Sequence, residues 1–520
     1  MLDLKLVGGS LFDGTGAPAR AADVGIRGDR IVEVGDLSRA EAKATIDAAG
    51  RCVAPGFIDV HSHSDAYLIL EPSAPSKIYQ GVTTEIVGNC GASAAPKVGG
   101  YDMPSDWRAQ KYPRPWSTVA EYRSVLEEAK PGLNLVLLIG HNAVRAGVMG
   151  YEARAARPDE VRAMAKLLDQ ALEEGGAGLS TGLVYQPGMF AEREEIVELA
   201  KVAAKRNRIY TSHMRSEGAR LHEAIDETLD VGRRAGIRVQ VSHLKTSGRR
   251  NWHLLDGALD RIRKAREEGL EVASDRYPYT ASCTDLDVIL PDWASGGGRD
   301  AVMERLRDPA TRSKIREAIL KTRDDQYWPT VMIGSTWHPD NARFQGEKLP
   351  DIAKALGLAP VDAALHLMET DELRSTAIFF GMSEENMWRI LAEPYVMIGS
   401  DGSLRSPTGV LSTDHPHPRA YGSFPRFIRA SLEGKTVPLP EAIRKMTSLA
   451  AEQFRLKDRG VIAPGKLADV VVFDTERVNE KSTFVKPHQL SEGIDTVIVN
   501  GVVTLRDGKY TGDRGGRFLD

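Results

Sequence analysis

The sequence predicts an α/β fold: a closed (β/α)8 barrel joined to a small β-sandwich domain formed by both chain termini. Three observations carry this reading. The middle of the chain alternates apolar extended runs with amphipathic helical stretches, the two ends share a texture of short strands and glycine turns, and metal-binding residue types recur where central strands end. A doubly wound open sheet is the structural alternative for the same alternation.

Near the start, LKLVGG, ADVGIRG and RIVEVGD read as strands separated by glycine turns, giving residues 1–55 as the first part of the β-domain. ADVVVFD and TVIVNGVVTLRDGKY repeat that texture near the end, so 460–520 supplies the second part. Asn500-Gly501 between apolar runs is a hairpin signal. One domain assembled from both ends is the economical inference; two independent β-modules would each be small. Between them lies the barrel. GFIDVHSH, VTTEIVGNC, LNLVLLIGH, AGLSTGL, RIYTSHM, IRVQVSHL and EVASDRYPY supply seven strand candidates within 56–284, and PYVMIGSD supplies the eighth within 393–459. The helix RPDEVRAMAKLLDQALEEG opens with Pro158, which suits a first helical turn. EREEIVELAKVAAKR, HEAIDETLDVGRR and the stretch from Leu255 to Glu268 serve as further crossovers. Residues 285–392 interrupt the rhythm with two helix-like segments and aromatic, glycine-rich pieces, and read as an insertion covering the barrel mouth; a plain structural excursion fits the sequence equally.

A length of 520 residues makes a single domain unexpected. The 68 basic and 72 acidic side chains nearly cancel, without a dominant basic block, which argues against nucleic acid as the main partner and for a small or peptide-like substrate. No apolar run approaches membrane-spanning length. The opening LKLVGGSLFDG alternates like a strand and lacks a secretory pattern, and three cysteines make no disulfide framework, so a cytoplasmic setting is expected. Oligomeric state leaves no trace in the sequence.

The chemistry gathers at strand ends: His61 and His63, Cys90, His213, His243 and Asp401. Strand C-termini of this fold converge on one face, so ligands distant in sequence can meet around one cavity. Four of only 12 histidines occupy these positions. Each member has a plain alternative: a solvent-facing strand end, a small core cysteine, a hydrogen-bonded histidine, or a turn aspartate in Asp-Gly. Together, thiolate and imidazoles favour zinc over magnesium or calcium. Asp401 beside such a centre has the chemistry to accept a proton from water and pass it to a leaving group.

These motifs carry a resemblance. GFIDVHSHSD resembles the first metal motif of the amidohydrolase superfamily. EIVGNCG, STGLVYQPG, YTSHMRSEG, VSHLKTSG, GSDG and DHPHPR together resemble the N-acyl-D-amino-acid deacylases (D-aminoacylases) over nearly the full chain. The resemblance implies a TIM-like metal-dependent hydrolase barrel in which Cys90, His213 and His243 hold one tight zinc. His61, His63 and Asp401 match a second, weaker metal position. AGLSTGL lacks the lysine that bridges metals in many relatives, and Cys90 takes that place. Arg419 matches the arginine that pairs with the substrate α-carboxylate, although SPTGVLSTD before it is longer than the family pattern. Tyr279 resembles a second carboxylate-binding group, with Tyr277 as its competitor; Tyr185 and Lys245 are further substrate-side candidates. His415 and His417 either assist orientation or serve only the structure of their proline-flanked loop.

The implied reaction is hydrolysis of an N-acyl-D-amino acid to a carboxylate and a free D-amino acid, with Asp401 as general base and then acid. A dipeptidase or cyclic-amide hydrolase is the alternative enzyme, and a zinc-stabilised binding or scaffold protein the alternative outside catalysis. Chirality comes from the resemblance alone.

Overall fold

The computed structural model describes residues 1–520, the side chains of residues 105 and 106 excepted. Eight strands form the central sheet: β1 (Phe57–Asp59), β2 (Val82–Val87), β3 (Asn134–Gly140), β4 (Gly178–Gly182), β5 (Ile209–His213), β6 (Arg238–Val241), β7 (Val272–Arg276) and β8 (Val396–Ile398). Each pairs in parallel with its sequence neighbour. The ring comes round through a parallel bridge between Ser62 and Gly402, where the Asp401 amide also donates to the His61 carbonyl at 2.7 Å. All residues of β2 and β3 are buried, as strands enclosed on both faces must be.

The crossover helices present apolar stripes to this ring. Helix Pro158–Glu173 buries Met164, Leu168 and Leu172, and helix Leu221–Ala235 buries Leu221, Ile225 and Leu229, both at four-residue spacing. That period keeps one face inward and leaves the charged face to solvent.

Both termini build the flanking β-sandwich. Strand Cys52–Pro55 runs antiparallel to Val470–Phe473 and parallel to Ser10–Leu11, so residues from both chain ends share one sheet. A second sheet carries Leu2–Val7 between Asp23–Arg27 and Ala42–Asp47. Leu4, Leu6, Ile26, Val53, Val470 and Ile498 fill the space between. Asn500 and Gly501 join Ile494–Val499 to Val502–Arg506 with φ of 48° and 81°, the left-handed pair that a two-residue hairpin requires. The tail then returns to the barrel, where Phe518 and Leu519 pair with Leu135 and Val136 of β3. Gly516 permits that approach, because a Cβ there would stand 2.0 Å from the Leu133 carbonyl oxygen.

Between β7 and β8 the chain builds more than the helix-like segments read from sequence. Strands Ala281–Asp285, Thr376–Phe380 and Val331–Ile333 form an antiparallel sheet in that spatial order. Leu286, Val302, Leu306, Ile315, Trp328 and Leu365 give it a core of its own. No helix among the described residues is long and apolar enough to cross a membrane.

The seam between β8 and β1 rests on a buried lysine. Lys77 Nζ lies 2.9 Å from Asp59 Oδ2, 2.9 Å from Glu85 Oε1, 2.9 Å from Ser400 Oγ and 3.0 Å from the Gly402 carbonyl. Burial disfavours the ammonium, but the two carboxylates reverse that and raise its pKa. Replacing Lys77 with Met leaves two buried carboxylates without their cation, a change expected to cost about 3–5 kcal/mol. Denaturant unfolding of Lys77→Met against the parent checks this; an unchanged midpoint would show that the seam does not depend on the charge.

Candidate metal centre

Each strand end delivers a donor through a short, constrained segment. His61 follows β1, Cys90 follows β2, His213 ends β5, His243 follows β6 and Asp401 follows β8. Cys90, His243 and Asp401 have φ of 54°, 33° and 51°. That left-handed region is costly for residues with a Cβ and persists where surrounding structure over-determines it.

Donor atoms of His61, Cys90, His243 and Asp401 all lie within 4.8 Å of one another, and all four residues are buried. Cys90 Sγ is 3.2 Å from His61 Nε2 and 3.5 Å from His243 Nε2. Asp401 Oδ1 is 3.4 Å from His61 Nε2 and 3.1 Å from His63 Nε2. His213 Nδ1 stands 3.0 Å from His243 Nε2, and a second group, His213, Glu217 and His243, shares His243 with the first. Tetrahedral zinc with sulfur and nitrogen ligands sets donor atoms about 3.5 Å apart, so the spacing and the donor chemistry both fit zinc. The two donor groups together match a binuclear zinc site.

Carboxylates behind the ligands fix which ring nitrogen faces inward. Asp275 Oδ1 lies 3.1 Å from His61 Nδ1 and accepts the His243 amide at 2.8 Å, while Gln240 donates to Asp275 Oδ2 at 2.8 Å. Glu217 Oε1 lies 2.7 Å from His243 Nδ1 and pairs with Lys245. The outer nitrogens are thus engaged and the Nε2 atoms are left for the centre. Burial works against the Cys90 thiolate, yet the His61 and His243 rings beside it hold its pKa well below the ordinary thiol value. Burial likewise opposes Asp401 ionisation, and Arg419, His243 and His61 hold it well below the carboxylate range. Asp275 and Glu217 were not singled out from sequence. Their only signal was an acid at a strand end and another in the loop after His213.

Arg419 begins helix Arg419–Leu432 and is buried, with Nη1 2.7 Å from Asp401 Oδ2. The extra residues before it fold aside: Arg405 Nε donates to Asp414 at 2.8 Å and the Ser406 amide to the Leu411 carbonyl at 3.2 Å. Arg419 therefore reaches Asp401 despite the longer segment. The guanidinium lies 4.7 Å from the centre of the Tyr277 ring, whose buried hydroxyl has no hydrogen-bond partner among the described residues. Tyr279, expected as the second carboxylate group, instead donates its hydroxyl to Glu480 at 2.5 Å. The Tyr279 amide bonds the Tyr277 carbonyl at 3.0 Å in a γ-type turn around Pro278; both rings stay in one cluster beside His417, and only their hydroxyls differ in surroundings. Tyr185 packs its ring 5.0 Å from His213 and places its hydroxyl 2.9 Å from Thr284 Oγ1. Lys245 is already committed to Glu217. His415 Nε2 donates to the Phe484 carbonyl at 2.7 Å, away from the donor groups.

Comparison with known proteins agrees with this geometry. The amidohydrolase family model matches residues 44–505. An N-acyl-D-glutamate deacylase of Alcaligenes xylosoxydans xylosoxydans is 39% identical over 96% of this chain and 93% of its own length. A D-aminoacylase of the same organism is 35% identical over 99% and 97%. The crystal structure of N-acyl-D-glutamate deacylase from Bordetella bronchiseptica, complexed with zinc and a phosphonate mimic of the tetrahedral intermediate, superposes with a TM-score of 0.85. It is 37% identical and covers 100% of this chain and 99% of that one. A likeness that extends from one end of the chain to the other, with a zinc-type donor cluster at its centre, places the chain in the amidohydrolase family, among the N-acyl-D-amino-acid deacylases.

Proposed function

We propose that the protein hydrolyses N-acyl-D-amino acids to a carboxylate and a free D-amino acid. The observation that carries this is Asp401, a buried carboxylate that touches both the donor cluster and the Arg419 guanidinium. Cys90, His213 and His243 would hold the tight zinc, with His61, His63 and Asp401 at the weaker position. Zinc, when bound, supplies Lewis acidity that polarises the amide carbonyl.

The chain's own residues do the rest. Arg419 receives the substrate α-carboxylate in a paired, planar contact, and the unpartnered Tyr277 hydroxyl adds a donor beside it. That contact sets the amide over Asp401. Asp401 removes a proton from the attacking water as the water oxygen bonds the carbonyl carbon, then returns that proton to the nitrogen as the C–N bond breaks. Glu217 and Asp275 keep His243 and His61 in register. Tyr185 walls the pocket beside His213, and the insertion 285–392 covers the mouth. The barrel, to Arg276 and again through 393–459, and the β-domain portions 1–55 and 460–520 frame this site, the inserted sheet starting at Ala281 rather than at 285. The substrate is a free small molecule, and the setting we infer is cytoplasmic, consistent with three unpaired cysteines. The D-configuration rests on the relatives, whose names differ in side chain, so the side chain is left to measurement.

Matched panels of N-acetyl-D- and N-acetyl-L-amino acids, assayed with zinc present, are expected to show turnover confined to the D-series. L-selectivity, or turnover of cyclic amides alone, would overturn the substrate. In the same assay Asp401→Asn should lose about 10²–10⁴-fold in kcat, the usual reach of a general base, while elemental analysis finds the tight zinc retained; wild-type kcat in a zinc-replete sample would end that role. Chelation should lower the melting temperature by roughly 4 °C, corresponding to about 4 kcal/mol of lost ligand stabilisation in a chain of this length. Re-addition of zinc restores it, and Cys90→Ser abolishes the response; a chelation shift that survives in Cys90→Ser would place the metal elsewhere.

A further inference from the structure

Behind Arg419 sits a histidine outside both donor groups. His417 is buried, and both its ring nitrogens are engaged. Its Nδ1 accepts the Arg419 amide at 2.9 Å, so its Nε2 carries the proton and donates to the Ala281 carbonyl at 2.9 Å. An acceptor on the amide two residues ahead has the geometry of an Asx turn, and here it occupies the first amide of helix Arg419–Leu432. Arg419 makes its own link to the same strand, with Nη2 donating to the Cys283 carbonyl at 3.1 Å. Ala281 and Cys283 are alternate residues of Ala281–Asp285, the edge strand of the inserted sheet. Alternate carbonyls leave the same edge of a strand, so the histidine and the arginine hang from one rack. The rings of Tyr279 and Phe484 enclose the imidazole at 5.2 and 4.9 Å. Burial, then the charge of Arg419, hold the His417 pKa well below the ordinary histidine value, consistent with the neutral ring these bonds require.

We propose that His417 is a positioning residue: it aims Arg419 at the substrate carboxylate by tying the start of helix Arg419–Leu432 to the open edge of strand Ala281–Asp285. The proposal rests on Arg419 as the carboxylate anchor. It makes the inserted sheet part of the recognition apparatus, because two of its edge carbonyls fix where the guanidinium points. A plain packing role for His417 predicts loss of stability without discrimination between substrates.

The test compares an N-acetyl-D-amino acid with the analogue bearing a carboxamide in place of the α-carboxylate. His417→Ala is expected to lower kcat/KM for the acid about ten- to a hundredfold, the scale of a misplaced contact, mainly through KM, and to change the carboxamide rate far less than the acid's. Two isosteric variants keep the test decisive if His417→Ala folds poorly. His417→Asn retains an acceptor for the Arg419 amide and should recover most of the acid's KM. His417→Gln retains only a donor toward Ala281 and should not. Equal losses on both substrates, or Gln outperforming Asn, would overturn the positioning role. Arg419→Met separates the two layers of the argument. If it leaves the acid-to-carboxamide ratio unchanged, the carboxylate reading fails and the proposal with it. If it collapses the ratio and the His417 variants do not, only the positioning role fails.

Discussion

The site depends on closing a ring whose first and last strands lie far apart in the chain. His63 and Asp401 are 338 residues apart in sequence, yet 3.1 Å separates their side-chain atoms. No long hydrogen-bonded ladder joins β8 to β1 among the described residues; the seam is carried by one bridge, the amide-to-carbonyl bonds from Asp401 to His61 and from His63 to Gly402, Ser400 on Asp59, and the Lys77 cluster. A lysine without solvent is costly unless its charge is met on several sides. Here Asp59 comes from β1, Glu85 from β2, and Ser400 from the segment after β8. The same ammonium thus fixes the roots of the segments carrying His61, Cys90 and Asp401. Donor geometry at the centre is a consequence of charge compensation beneath it.

Strain above that base is held by equally local means. The Cys90 turn is bracketed by Ser180, whose hydroxyl donates to the Gly88 carbonyl at 2.5 Å and accepts the Gly91 amide at 3.2 Å. The Gly91 carbonyl accepts the Asn142 amide at the start of helix His141–Met149. Ser180 belongs to β4 and Asn142 follows β3, so neighbouring strands share in holding the left-handed residue. Rigid support of this kind keeps ligands from collapsing onto one another and preorganises the centre for a cation.

What could be read in the sequence follows from which signals are local. The barrel strands were visible because enclosed strands are continuous apolar runs, and the six metal-type residues because they punctuate those runs. Asn500-Gly501 was visible because few other pairs tolerate its backbone. Lys77, Asp275 and Glu217 were not: a charged residue near a strand end looks the same whether it meets water or a buried partner. Tyr277 and Tyr279 were indistinguishable because the turn around Pro278 separates their hydroxyls only in space. The inserted sheet escaped notice because strands such as Val331–Ile333 span three residues, below any useful period, and the return of Phe518–Leu519 to β3 involves only two.

Charge accounting finally connects recognition with chemistry. Lys245 and Arg419 both stand beside donor residues, and each has a carboxylate partner: Lys245 with Glu217, Arg419 with Asp401. The first pair is internal to the scaffold, since Glu217 also holds His243. The second joins the proposed anchor to the proposed base. With Arg419 as the carboxylate anchor, an incoming α-carboxylate offers the guanidinium a second planar partner of the same charge as Asp401. Arg419 can then turn from one carboxylate to the other without ever being buried alone, which keeps the desolvation cost of binding small. A neutral substrate offers no such partner and leaves Arg419 leaning on Asp401, where the guanidinium stabilises the carboxylate that must accept a proton. On that reading selection for an acid arises at the proposed base itself, and the arginine proposed to recognise the substrate is the group that holds Asp401 in its absence.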